Sequence, residues 1–232
     1  MANTIRSFIL LIVSGLSLNI VSAQHTNSFA GVRFGAVLPM GEFASHEFGY
    51  GGYALLGRSF GAEAAWFINP KIGFGIDISS NTFAFASGYY ADDYMESEHG
   101  AFSSVYLLSS KYILKTYMAG AYYKIPLSPK FSTSLKLMGG IFKASTPDQF
   151  FEVNTVMAGK LSFSKTSSTS TKFTFLTGAS IEYRVYEQVS LILQADFTYA
   201  QAAFPYTTGT TSYTDYLKMP VFRLQPGINI HF

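Results

Sequence analysis

The sequence predicts an all-β fold, an eight-stranded antiparallel transmembrane β-barrel with tight turns at one end and long loops at the other. Three observations predict it. Apolar and polar residues alternate with period two in eight segments, the even number a closed up-and-down barrel needs. The connections between those segments alternate between tight and long. The chain is also rich in aromatics (17%) but carries only 13% charged residues, against about 25% in ordinary soluble domains. Sixteen Tyr and 22 Phe exceed what a small aqueous core hides, and mean hydropathy is +0.20. No apolar run of about 20 residues follows the N-terminus, which excludes a helical membrane protein.

The chain opens with "MANTIRSFILLIVSGLSLNIVSAQ". One basic residue (Arg6), an apolar core from Phe8 to Val21 and the small ending Val21-Ser22-Ala23 predict a signal peptide over residues 1–23, cleaved before Gln24. The core is short and broken by Ser14, Gly15 and Ser17, which argues against a membrane anchor. Residues 24–232 then form a single barrel domain. Without cysteine, that domain must close by hydrogen bonding rather than by disulfides. Net charge is +2 and falls by one with Arg6, so nothing argues for nucleic acid as a partner.

The expected strands are 29–38, 57–68, 71–86, 111–126, 131–146, 171–187, 189–204 and 216–232. "NPK" (69–71), "LSPK" (127–130) and "YEQ" (186–188) make the tight turns, expected on the periplasmic side. Residues 39–56, 87–110, 147–170 and 205–215 make the longer loops, expected outside the cell. In 72–79, Ile72, Phe74, Ile76 and Ile78 alternate with Gly73, Gly75, Asp77 and Ser79. The closing "GINIHF" (227–232) repeats the pattern, with Ile228, Ile230 and Phe232 on one face and Asn229 and His231 on the other. Lys115 shares the apolar face of its strand with Tyr117, Ala119, Ala121 and Tyr123, and is expected to snorkel at the outer rim. Trp66, Tyr123, Phe131, Tyr183 and Phe232 share the apolar parity near the tight-turn end and are expected to form the periplasmic aromatic girdle.

On the lumen parity, Arg33, Lys136, Arg184 and Arg223 face Glu63, Asp77, Glu182 and Asp196. All eight are expected in one layer. An eight-stranded barrel is just wide enough for side chains to fill, and a lone charge in a dry interior costs several kcal/mol. The layer is therefore expected to be a salt-bridged plug; a proton or ion pathway is the competing reading. His231 is expected at its periplasmic rim.

At "GVRFGAVLPMGEFAS" (31–45), "NPKIGFGID" (69–77), "YYKIPLSPKFS" (122–132) and "PGINIHF" (226–232) the chain resembles small outer-membrane barrels of the OmpA/OmpX-like type, and more closely the porin-family barrels of Bacteroidetes. The resemblance implies a bacterial outer-membrane location, contact with outer-membrane lipid and lipopolysaccharide, and insertion by the outer-membrane assembly machinery, which would read Phe232 as a terminal aromatic signal. It carries no catalytic motif and implies no cofactor.

Three loop features invite chemistry. "ADDYMESEHG" (91–100) offers Asp92, Asp93, Glu96, Glu98 and His99, oxygen ligands suited to Ca²⁺ or Mg²⁺, but without the glycine-turned spacing of an EF-hand. Ser45-His46-Glu47 suggests hydrolysis, although consecutive residues do not form a triad on their own. Phe43, Phe48, Tyr50, Tyr53, Tyr89, Tyr90, Tyr94, Phe150 and Phe151 either present a contact surface for a partner protein or glycan, or pack loop on loop. The expected function is a small closed barrel, not an enzyme, with a structural or interaction role in the envelope. Narrow transport of small or hydrophobic solutes is the alternative, and a lipid-modifying enzyme comes third.

Overall fold

The computed structural model describes residues 27–97, 101–156, 159–208 and 211–232. The leader, His25, Glu98 and His99 lie outside these residues. Eight strands close into one antiparallel barrel: β1 (Phe29–Pro39), β2 (Ala54–Phe67), β3 (Ile72–Phe85), β5 (Tyr112–Pro126), β6 (Phe131–Ser145), β9 (Thr169–Tyr186), β10 (Val189–Tyr199) and β13 (Val221–His231). Each pairs with its chain neighbour in the barrel, and β1 closes the ring on β13 through Phe29–His231 up to Pro39–Val221.

The tight turns have local causes. Asn69 Oδ1 accepts the backbone N–H groups of Lys71 (2.9 Å) and Ile72 (2.8 Å), an Asx turn beside Pro70. Ser128 Oγ does the same for Phe131 N at 3.1 Å. At the third turn the register shifts between Val189 and Ser190, a bulge that admits the extra residue.

The other end departs from the plain loops expected there. Residues 87–110 and 147–170 hold helix α2 (Ser87–Ser97) and a separate sheet of β4 (Phe102–Ser109), β7 (Gln149–Thr155) and β8 (Gly159–Lys165). The strand expected over 189–204 breaks at Ala200, and β11 (Gln201–Thr208) pairs with β12 (Thr211–Lys218) as a hairpin of its own. The strand expected over 216–232 starts only at Val221, because Pro220 cannot donate to a ladder. A four-residue helix, α1 (Gly41–Ala44), turns inward from the first loop.

The barrel wall is apolar outside and polar inside. On β6, Leu135 and Leu137 are 49% and 66% exposed while Lys136 between them is 6%. Phe34, Phe74, Ile76, Leu193 and Ile228 are likewise exposed on the outside. An apolar band of this extent is far larger than the patches water-soluble proteins carry. Trp66, Tyr123, Phe131, Tyr183 and Phe232 all point outward near the tight-turn end, with Trp66 against Phe232 (6.2 Å between ring centres) and Phe131 against Tyr183 (4.8 Å). Lys115 points outward as well, between the buried Leu114 and Thr116.

Candidate functional site: a charged and capped lumen

The register brings six charged side chains from six strands to the middle of the lumen. Lys136 Nζ lies 2.7 Å from Glu63, 3.1 Å from Asp77 and 3.3 Å from Asp196. Arg223 reaches Asp196 at 2.7 Å and Asp77 at 3.4 Å, and Arg33 approaches Glu63 at 3.7 Å. Three cations face three carboxylates, and each of the six is at least nine-tenths buried. Gln194 ties them together: its amide donates to Glu63 (3.0 Å) and Asp196 (2.8 Å) and accepts from Arg33 Nε (3.3 Å). Arg33 also donates to Asn229 at 2.7 Å. Balanced charge together with these hydrogen bonds makes the buried ions tolerable, although Arg223 Nε and Asn229 Nδ2 have no hydrogen-bond partner among the described residues.

Glu182 and Arg184 do not belong to this layer, which corrects the expectation of a single layer of eight. Lys136 stands opposite Gly178 on β9, and Glu182 lies four residues nearer the tight-turn end, about 13 Å along a strand. There Glu182 binds Lys124 (3.1 Å) and His231 (2.9 Å). Arg184 falls beyond Phe131–Tyr183, the last rung β9 shares with β6, and lies half-buried at the mouth, with no ion pair among the described residues. Lys124 is not legible from the sequence because the inner face of β5 is mostly apolar (Leu114, Met118, Tyr122), with Thr116 its one other polar side chain, so its parity marks no charged lumen. Gln194 and Asn229 have the right parity but no charge to draw attention.

Apolar side chains close the lumen on both sides of the ions. Towards the tight turns, Phe29, Phe67 and Tyr122 pack with ring centres 6.1 to 6.4 Å apart. Towards the loops, Ser59, Ser79, Asn81, Thr116 and Gln225 form a buried polar ring above the ions. Over that ring lies an apolar cap of Val37, Phe83, Leu114, Phe142, Phe204 and Met219, into which α1 inserts Phe43, fully buried. Phe43 meets Phe83 and Tyr112 edge to face at 5.0 and 5.1 Å.

The loop aromatics divide. Phe43 is buried in the lumenal cap, Tyr53 and Phe151 are buried among the loops, and Phe151 stacks on Phe163 at 4.7 Å. Phe48, Tyr50, Tyr89 and Phe150 remain exposed. His46 is stacked between Tyr53 (5.4 Å) and Tyr89 (4.7 Å), and Ser45 Oγ accepts from the backbone N–H of Glu47, so these three residues form no relay. Asp92, Asp93 and Glu96 lie on α2, where Asp93 accepts the Tyr53 phenol; among the described residues no three acidic or histidine side chains are placed to hold a metal ion. Above the cap, Lys165 sits over the Tyr206 ring at 4.2 Å. Burial holds that ammonium below its ordinary pKa and pushes the Tyr206 phenol up to about 12.

Ser190, His231 and Glu182 form a second constellation with the residue types of hydrolytic catalysis. The geometry is wrong for it. Ser190 Oγ and Glu182 Oε1 both lie 2.9 Å from the same nitrogen, His231 Nε2. A base needs the serine on one ring nitrogen and the orienting acid on the other. Ser190 is also completely buried.

No family model matches the chain, and no curated protein matches it in sequence. Solved structures do resemble it. Outer membrane protein AlkL, studied in DMPC bilayers, aligns over 93% of this chain and 95% of its own with a TM-score of 0.51 at 12% identity. Ail of Yersinia pestis covers 88% of this chain and 97% of its own (TM-score 0.44, 14% identity). Neisserial surface protein A covers 91% and 100% (TM-score 0.44, 16% identity). The likeness to AlkL is one of fold. With the apolar exterior and closed ring of eight strands, it defines this chain as a membrane-spanning β-barrel.

Proposed function

We propose that the chain is a closed, non-conducting and non-enzymatic barrel of the bacterial outer membrane, with the tight turns in the periplasm and a folded loop domain outside that contacts envelope components or a partner protein. The observation that carries this is the lumen: an aromatic cluster, a neutral layer of six ions and an apolar cap succeed one another along its axis. A transport route would have to part all three. A lipid-modifying activity is less supported still, since neither serine–histidine pair has catalytic geometry. Insertion by the outer-membrane assembly machinery, with β13 as the strand that closes the ring on β1, belongs to the same reading, as does the resemblance to porin-family barrels of Bacteroidetes.

Purified protein in a planar bilayer is expected to form no stable channel; steady, ion-selective openings would overturn the closed reading in favour of transport. Orientation is tested separately. Tags at residues 95, 160 and 210 are expected to label on intact cells and one at 128–129 to stay hidden, whereas the reverse pattern inverts the barrel.

A further inference from the structure

The outer wall carries two lysines that no described residue supplies with a counter-charge. Lys115 on β5 stands directly opposite Lys143 on β6, and both are exposed on the outside of the barrel. Ser80 and Thr171 continue the same rung on either side. Like charges placed opposite each other on an antiparallel pair are destabilising, and among the described residues neither lysine has a carboxylate partner. Arg58 points outward near them, opposite Thr82, one rung closer to the loops.

The height of this pair matters as much as its charge. The rung below reads Ile78, Tyr117, Ile141 and Phe173, all outward and apolar. From Tyr123 in the aromatic set at the tight-turn end to Lys115 is eight residues of β5, and from Phe131 to Lys143 is twelve of β6. At about 3.3 Å per residue and a tilt near 40°, the lysines lie roughly 20 to 30 Å above those aromatics, bracketing the apolar height of such barrels. They stand where hydrocarbon gives way to headgroups. An apolar groove of about 490 Å³ beneath the Arg58 side, lined by Ala62, Ala64, Ile76, Ile78 and Ile228, gives an acyl chain a seat on the same wall.

We propose that Lys115 and Lys143, with Arg58 beside them, form a binding site for the phosphate groups of an outer-leaflet phosphoglycolipid of the lipid A type. This rests on the membrane placement and orientation proposed above. Lysine binds phosphate as a point charge on a flexible stem; the two ammonium groups on one rung converge on one phosphate, and Arg58, two strands from Lys115 on the next outward rung, is placed for the second. The anion removes the repulsion across the rung, so lipid binding and barrel stability are linked.

The test uses the protein refolded in nanodiscs of phosphatidylcholine, with unfolding followed by heat-modifiable migration on a gel. Lipid A titrated into the disc is expected to raise the midpoint of the wild type. Lys115→Gln/Lys143→Gln is expected to need about thirtyfold more lipid A for the same shift, while Lys71→Gln at the opposite end responds as wild type. An unchanged response of the double variant overturns the site. So does an equal shift from dephosphorylated lipid A or from phosphatidylglycerol. Failure of the wild type to give a folded band in phosphatidylcholine alone overturns the membrane reading and the site together.

Discussion

Lys136→Met is expected to destabilise the barrel by about 3 to 5 kcal/mol, measured as the shift in the urea unfolding curve of the protein in lipid. The side chain keeps most of its volume, so the loss reports charge rather than a cavity. Among the described residues Lys136 Nζ is the one cation within 3.3 Å of all three carboxylates, and its removal leaves Glu63, Asp77 and Asp196 against two guanidinium groups. Lys136→Met/Asp77→Asn restores neutrality and is expected to recover part of the loss, because residues in one network couple strongly. Arg184→Ala at the mouth is expected to cost less than about 1 kcal/mol. A Lys136→Met loss no greater than that of Arg184→Ala would mean that water reaches the layer, and the lumen would then be open to ions.

The contrast between Lys136 and Arg184 also shows what a sequence of this kind encodes. Period two is local: each residue's neighbours set which face it takes, so the strands and the outward position of Leu135 and Leu137 can be read along the chain. Height inside a barrel is not local. It depends on how far each strand slides past the next, which is why Glu182, on the same face as Lys136's partners, ends about 13 Å away beside Lys124 and His231. Phe43 was illegible for a different reason. It enters the lumen from α1, a four-residue helix in a loop, and no periodicity announces a side chain inserted from outside the wall. The helix and three-stranded sheet of the long loops are not legible in the sequence because their apolar faces are completed by each other and by Phe85 of β3, through Ala91, Leu107, Phe151 and Val153.

Gly178→Val is expected to cost about 3 kcal/mol by overpacking, read on the same unfolding curve. Gly178 faces the lumen between Lys136 on β6 and Asp196 on β10, and lacks the side chain its position would otherwise aim into the ion layer. A Cβ there would stand 2.1 Å from Asp196 Oδ1 and 2.9 Å from the Cε of Lys136, so the carboxylate would have to leave the 3.3 Å contact it makes with that lysine. Gly139 on the outer wall is the control, since its added Cβ would meet only ring edges, that of Phe173 at 3.1 Å and that of Phe175 at 3.9 Å. Gly139→Val is expected to change stability by about 0.5 kcal/mol or less. The cause is tested by a cycle: in an Asp196→Ala background the clashing oxygens are gone, and the extra cost of Gly178→Val should shrink by half or more. An equal cost in both backgrounds would show that the strain lies in the backbone of β9 rather than in the ions it makes room for.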